Sequence, residues 1–154
     1  MLTMEKSSGE HLDKVSVSLY TFVVMSNKDF KNWGIEKSDL HENKVRAFFH
    51  EREVWFASIG ANIGFEQDGK HEKFLRPVVV VKKFNNEICW GIPTTKKTKK
   101  GKYYFPFEYK EGEFTTAILS QLRLIDSKRL DYKIGSMKEN DFTEMKKRFT
   151  SFLK

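Results

Sequence analysis

A chain of 154 residues suffices for one domain with a modest appendage. Its 39% apolar and 14% aromatic residues, including fourteen Phe, can fill a core, while 32% charged residues predict a well-solvated outside. The lone Cys89 excludes an intrachain disulfide and, within the apolar run ICWGI, fits a buried thiol in a reducing cytoplasm.

The longest apolar stretch, VSVSLYTFVVM (15–25), is too short to span a bilayer and lacks the basic leader and cleavage site of a signal peptide, so the expectation is a cytoplasmic protein without a membrane partner. That stretch is a candidate strand. KDFKNWGIEKSDLHENK (28–44) is a candidate helix, interrupted near Gly34. From residue 53 the pattern turns to β. EVWFASIG (53–60) ends at a glycine turn. RPVVVVKKFN (76–85) reads as a buried strand with Pro77 at its start, where a missing N–H is tolerated. After a turn at Asn85 and Asn86, NEICWGIPTT (86–95) puts Ile88, Trp90 and Ile92 on one face.

KGKYYFPFEY (100–109) alternates Tyr103, Phe105, Phe107 and Tyr109 on one face, and Pro106 predicts an edge or a bulge. A turn at 111–113 leads to a fifth strand, FTTAILSQLRLID (114–126). Five short strands at this spacing predict a small, strongly bent barrel. The chain closes with a helix in DFTEMKKRFTSFL, whose packing stripe is Phe142, Met145, Phe149 and Phe152. Its start is ambiguous between a Ser136–Glu139 capping box and an Asn140 cap. The fold class is therefore mainly β with helices, α+β.

Charge is unevenly placed. Residues 1–53 carry eight Lys/Arg against nine Asp/Glu, so the net +7 resides entirely beyond them. It is densest in KKTKKGK (96–102), which reads either as a solvated hairpin tip or as contacts for a polyanion such as nucleic acid. No metal signature, phosphate-cradling glycine loop or nucleophile elbow is present, and no cofactor is expected. Arg76 stands where a polar loop, FEQDGKHEKFL, meets the four valines. A fixed guanidinium can stabilise charge on a phosphodiester during cleavage. It can equally cap the strand and pair with Glu66 or Glu72.

VWFASIGANIGFEQDGK, RPVVVVKKFN, GIPTTKK and ILSQLRLIDSKRLDYKIG, in that order, resemble the MazF/PemK toxins of toxin–antitoxin systems. The resemblance covers roughly 50–154 and divides the chain into an extension, 1–50, and a toxin domain, 51–154. It implies an SH3-like barrel of the MazF/PemK/CcdB kind, a homodimer, a cognate antitoxin, and a metal-independent endoribonuclease cutting single-stranded RNA to 2′,3′-cyclic phosphate and 5′-hydroxyl ends. Carried over by motif, Arg76 is the catalytic arginine and Thr95 the catalytic threonine, with Thr94 the one-residue alternative. His71 is a candidate general base or a plain loop histidine.

The same resemblance puts Gln67, Lys70 and Lys73 on a mobile loop over the RNA groove, and Lys96, Lys97, Lys99 and Lys100 along the RNA backbone. Gln121 and Arg123 either line the groove or serve the strand. The loop DGKHEKFL is longer than in compact members. Ser120 and Ile118 replace an acidic and a basic residue that some relatives use. The competing readings are a non-catalytic, gyrase-poisoning toxin resembling CcdB, and an antitoxin-like or regulatory variant.

Overall fold

The computed structural model describes residues 28–154, so the expected strand over 15–25 lies outside the described residues. Helix α1 (Phe30–Glu42) is capped by Asp29, whose carboxylate accepts the Asn32 N–H at 3.0 Å. It runs unbroken through Gly34, where a Cβ would meet nothing within 4 Å. A lone glycine only weakens a helix, and packing of Trp33 overrides that cost.

Seven antiparallel strands follow: β1 (Glu53–Ser58), β2 (Leu75–Lys83), β3 (Ile88–Thr95), β4 (Tyr104–Lys110), β5 (Glu113–Ile118), β6 (Arg123–Asp126) and β7 (Leu130–Ser136). Their order is β4-β5-β3-β2-β1-β7, with β6 also on β3. Helix α2 (Glu139–Ser151) closes the chain. The run of valines follows from burial on both faces. Val79 and Val81 point into one core with Ile92, Phe105, Phe107 and the α2 residues Phe142 and Met145, while Val78 and Val80 enter a second with Phe49, Cys89 and Ile125.

The expected strand over 114–126 is two strands. The chain pairs with β4 as β5 and with β3 as β6, and a 3-10 turn at Leu119–Gln121 makes the step between them. Strand β7 has no clear signature in LDYKIGS, because its outer residues are polar. Its pairing with β1 passes two register shifts, and Phe56 and Tyr132 stack at 5.0 Å. Ile88, Trp90 and Ile92 share a face, yet only Ile92 is fully buried; Trp90 lies outside, edge-on to Phe84 at 5.1 Å.

Phe105 and Phe107 are buried as expected, with Tyr109 packed beside them and Tyr103 outside β4. Pro106 sits on an outermost strand of the sheet order. There Gly135 lets β7 approach, since a Cβ would stand 2.0 Å from the Tyr109 carbonyl oxygen. Neither expected cap holds α2: its N-cap is Lys138, without a side-chain bond, and Ser136 ends β7. Glu139 and Asp141 in the first turn suit the helix dipole instead. Phe142 and Met145 are buried, and Phe149 and Phe152 pack against the same core.

Candidate active site

Arg76 is the second residue of β2, near the end of β3. The β2–β3 ladder ends at Val78–Pro93, after which Thr94 and Thr95 pair with β5, and the Arg76 side chain reaches across this fork to the residue before Thr95. The guanidinium is half-buried and held by backbone oxygens: Nε donates to the Asp68 carbonyl at 2.5 Å and Nη1 to the Thr94 carbonyl at 3.2 Å. It pairs with neither Glu66 nor Glu72; Glu66 instead accepts the Ile63 N–H at 3.0 Å. Burial pushes the Arg76 pKa below its ordinary value while the nearby Asp68 carboxylate opposes the shift. The group nevertheless stays a cation at neutral pH. Nη2 has no hydrogen-bond partner among the described residues and is open to a ligand.

The two threonines have opposite surroundings. Thr94 is fully buried and its hydroxyl bonds Thr115 at 2.9 Å, so it offers the site a carbonyl and no hydroxyl. Thr95 alternates to the other face, half-exposed. Its Oγ1 accepts the Lys97 N–H at 3.2 Å, which leaves its own proton for an acceptor such as a phosphate oxygen. The loop beyond it presents Lys96, Lys97, Lys99 and Lys100 to solvent, none in an ion pair among the described residues.

The loop that carries Gln67, Lys70 and Lys73 leaves β1 after Ser58 and returns at Leu75, and hydrogen bonds hold it to itself and to the barrel. The Asn62 side chain donates to the Ile59 and Gln67 carbonyls, and its N–H reaches the Asp68 carboxylate at 2.6 Å. Gln121, on the 3-10 corner, bonds the Gln67 N–H at 3.2 Å and the Phe65 carbonyl at 3.1 Å. Arg123 reaches the Ile59 carbonyl at 3.4 Å and Arg129 the Ser58 carbonyl at 2.9 Å. Burial lowers the pKa of both. At Arg129 the neighbouring Arg123 adds to this. Gln121 and Arg123 thus brace the loop.

Other expected residues fall elsewhere. Lys70 is exposed and bonds Leu75 through its backbone. Lys73 turns toward Asp131 at 3.5 Å. His71, at φ 62, lines a cavity of about 600 Å³ with Lys28, Asn32, Asp68 and Phe74, and among the described residues it makes no hydrogen bond to Arg76 or Thr95. Sequence reading missed Asp68, Asn62 and Arg129. The only local signal was the habit of Asn and Asp in turns of bonding nearby backbone. Among the described residues no group of three or more His, Cys, Asp or Glu could hold a metal ion, and no helix is long and apolar enough to cross a membrane.

The seven antiparallel strands and the closing helix define a small, bent β-barrel protein of the α+β class. The sequence model of the family described as PemK-like, MazF-like toxin of type II toxin–antitoxin system matches residues 51–153. The chain belongs to this family. MazF from Deinococcus radiodurans is 15% identical, with a TM-score of 0.57 over 70% of this chain and 97% of its own. The MazE–MazF complex of that organism gives 15% and 0.55 over 70% and 97%, and the Mycobacterium tuberculosis toxin MazF-mt6 gives 11% and 0.51 over 66% and 96%. No curated protein matches the sequence.

Proposed function

We propose that this toxin is an endoribonuclease that cuts single-stranded RNA without a metal ion. The observation carrying this reading is the Arg76 guanidinium, fixed by two carbonyls and lacking an ion pair within 4 Å among the described residues, with one of those carbonyls belonging to Thr94, the residue next to Thr95 in the chain. A cation held this way needs no reorganisation as charge builds on the non-bridging oxygens of a phosphodiester. The substrate's own 2′-hydroxyl gives its proton to solvent as its oxygen attacks the adjacent phosphorus, the bond to the 5′-oxygen breaks, and that oxygen takes up a proton from solvent. Products are a 2′,3′-cyclic phosphate and a 5′-hydroxyl. Arg76 stabilises the developing charge, and Thr95 donates to the phosphate and orients it for in-line attack.

The four lysines of the 96–100 segment follow the RNA backbone, and unpaired bases lie open to reading at their edges. The Deinococcus neighbour is a MazE–MazF complex; by analogy a cognate antitoxin neutralises this chain, which works as a homodimer. The test is cleavage of one long RNA in EDTA, with end groups mapped. Arg76→Ala keeps a cooperative unfolding transition and loses at least ~10²-fold in rate. Full activity in that variant sinks the assignment. A wild-type protein that cuts no RNA at any salt concentration points instead to a non-catalytic toxin acting on a protein.

A further inference from the structure

Residues 28–42 precede the span that the family shares, yet they reach the arginine through an unbroken series of contacts. The Trp33 side chain is buried with Ala61 and Phe74, its ring 5.4 Å from that of Phe74. It covers Gly60 so closely that a Cβ there would stand 2.3 Å from the indole. The Arg129 guanidinium lies 5.5 Å from the indole while bonding the Ser58 carbonyl. Just ahead of the helix, Lys28 Nζ donates to the Asn62 and Gly64 carbonyls at 2.5 and 3.0 Å and pairs with the Asp68 carboxylate at 3.1 Å. Asp68 is the residue whose carbonyl holds Arg76 Nε.

We infer that α1 and Lys28 form a buttress that sets the Arg76 guanidinium by fixing the Asp68 peptide, with Lys28 and Trp33 as positioning residues. The inference deepens the nuclease reading and rests on it for its effect on rate. Two features of the loop make outside support necessary. Its tip carries Ile63 and Phe65, 78% and 99% exposed, so it has no apolar anchor of its own there. Its return passes His71 and Phe74, both at positive φ, a conformation that side-chain-bearing residues adopt only when their surroundings impose it. The burial of Phe74 under Trp33 supplies that imposition. A guanidinium bonded to one loop peptide and one strand peptide keeps its aim only while the loop peptide keeps its place.

The experiment uses the full chain with Trp33→Ala, Lys28→Met and Lys28→Arg. The first readout is hydrogen exchange of the Arg76 Nε–H by 15N NMR, which does not depend on catalysis. Exchange is slow in the wild type, accelerates ten-fold or more in Trp33→Ala and Lys28→Met, and returns toward the wild-type rate in Lys28→Arg. The second is cleavage at saturating RNA against RNA affinity. The two disruptive variants lose about ten-fold in kcat with KM within two-fold of wild type. Lys28→Met alters only a partly exposed side chain, so it decides the matter even if Trp33→Ala unfolds. Unchanged Arg76 Nε exchange in folded Lys28→Met and Trp33→Ala overturns the inference. If the wild type cuts no RNA, the nuclease reading fails while the exchange measurement still decides this one.

Discussion

Glu53 is a buried carboxylate on β1, and replacing it gives a quantitative test of the forces that hold β7 to β1. It accepts from Lys133 Nζ on β7 at 2.8 Å, from Trp55 Nε1 at 2.9 Å and from the His50 N–H at 2.9 Å, with His50 Nδ1 at 3.2 Å. Burial alone would raise its pKa, but these bonds outweigh burial and bring it down from 4.5 to about 2. Because the folded value lies below the unfolded one, ionised Glu53 contributes stability that is fully present above pH 4.5. It is lost as pH falls toward 2. At about 1.4 kcal/mol per tenfold change in proton affinity, the contribution is of the order of 3 kcal/mol.

Glu53→Gln keeps the shape and two acceptor sites for neutral donors but removes the charge that binds Lys133. Urea unfolding at pH 7, 5, 4 and 3 should show wild type more stable by about 2–3 kcal/mol at pH 7, with the gap narrowing steadily below pH 4.5. A gap under about 0.5 kcal/mol at pH 7, or one that does not change with pH, refutes the view that a charge-assisted network ties β7 to β1.

Thr95→Val lowers RNA cleavage by about ten-fold or more, whereas Thr94→Val costs about 1–2 kcal/mol of stability through its lost bond to Thr115 and leaves the rate per folded molecule intact. The opposite pattern, by single-turnover kinetics, reverses the assignment. Replacing Lys96, Lys97, Lys99 and Lys100 by Ala reduces the slope of log affinity against log salt by roughly 3 for single-stranded RNA, and an unchanged slope removes the loop from the interface. Burial, reinforced by the charge of Asp126, pushes the Cys89 thiol up to about 12. Native protein at pH 8 therefore resists Ellman's reagent and reacts only on unfolding; rapid native labelling would contradict the buried position.

Periodicity was sufficient where burial is written as a repeat along a single element. The valines of β2, the Phe105 and Phe107 face, the Asn85 turn and the α2 stripe are all visible as local patterns, and each has the expected form. It failed where strand pairing, not a burial repeat, defines the element. Strand β7 reads as polar because β1 supplies its pairing, and ILSQLRLID reads as one strand because nothing local signals a change of neighbour at Leu119. At the site, the type and position of Arg76 were legible, but its partners were not. Backbone carbonyls carry no residue code, so a search for Glu66 or Glu72 could not find the Asp68 and Thr94 oxygens.

Phe49 lies outside the family's shared span and is completely buried, packed against Val78, Val80 and Ile125. Its carbonyl also receives Lys83 Nζ at 2.9 Å. Kinship and folding therefore have different borders in this chain. A protein trimmed to 51–154 would retain the segment its relatives recognise and lose a core side chain, at a cost of about 3–5 kcal/mol for the Phe alone. Set against a typical domain stability of about 5–15 kcal/mol, that loss could leave a fragment that looks inactive only because it is unfolded.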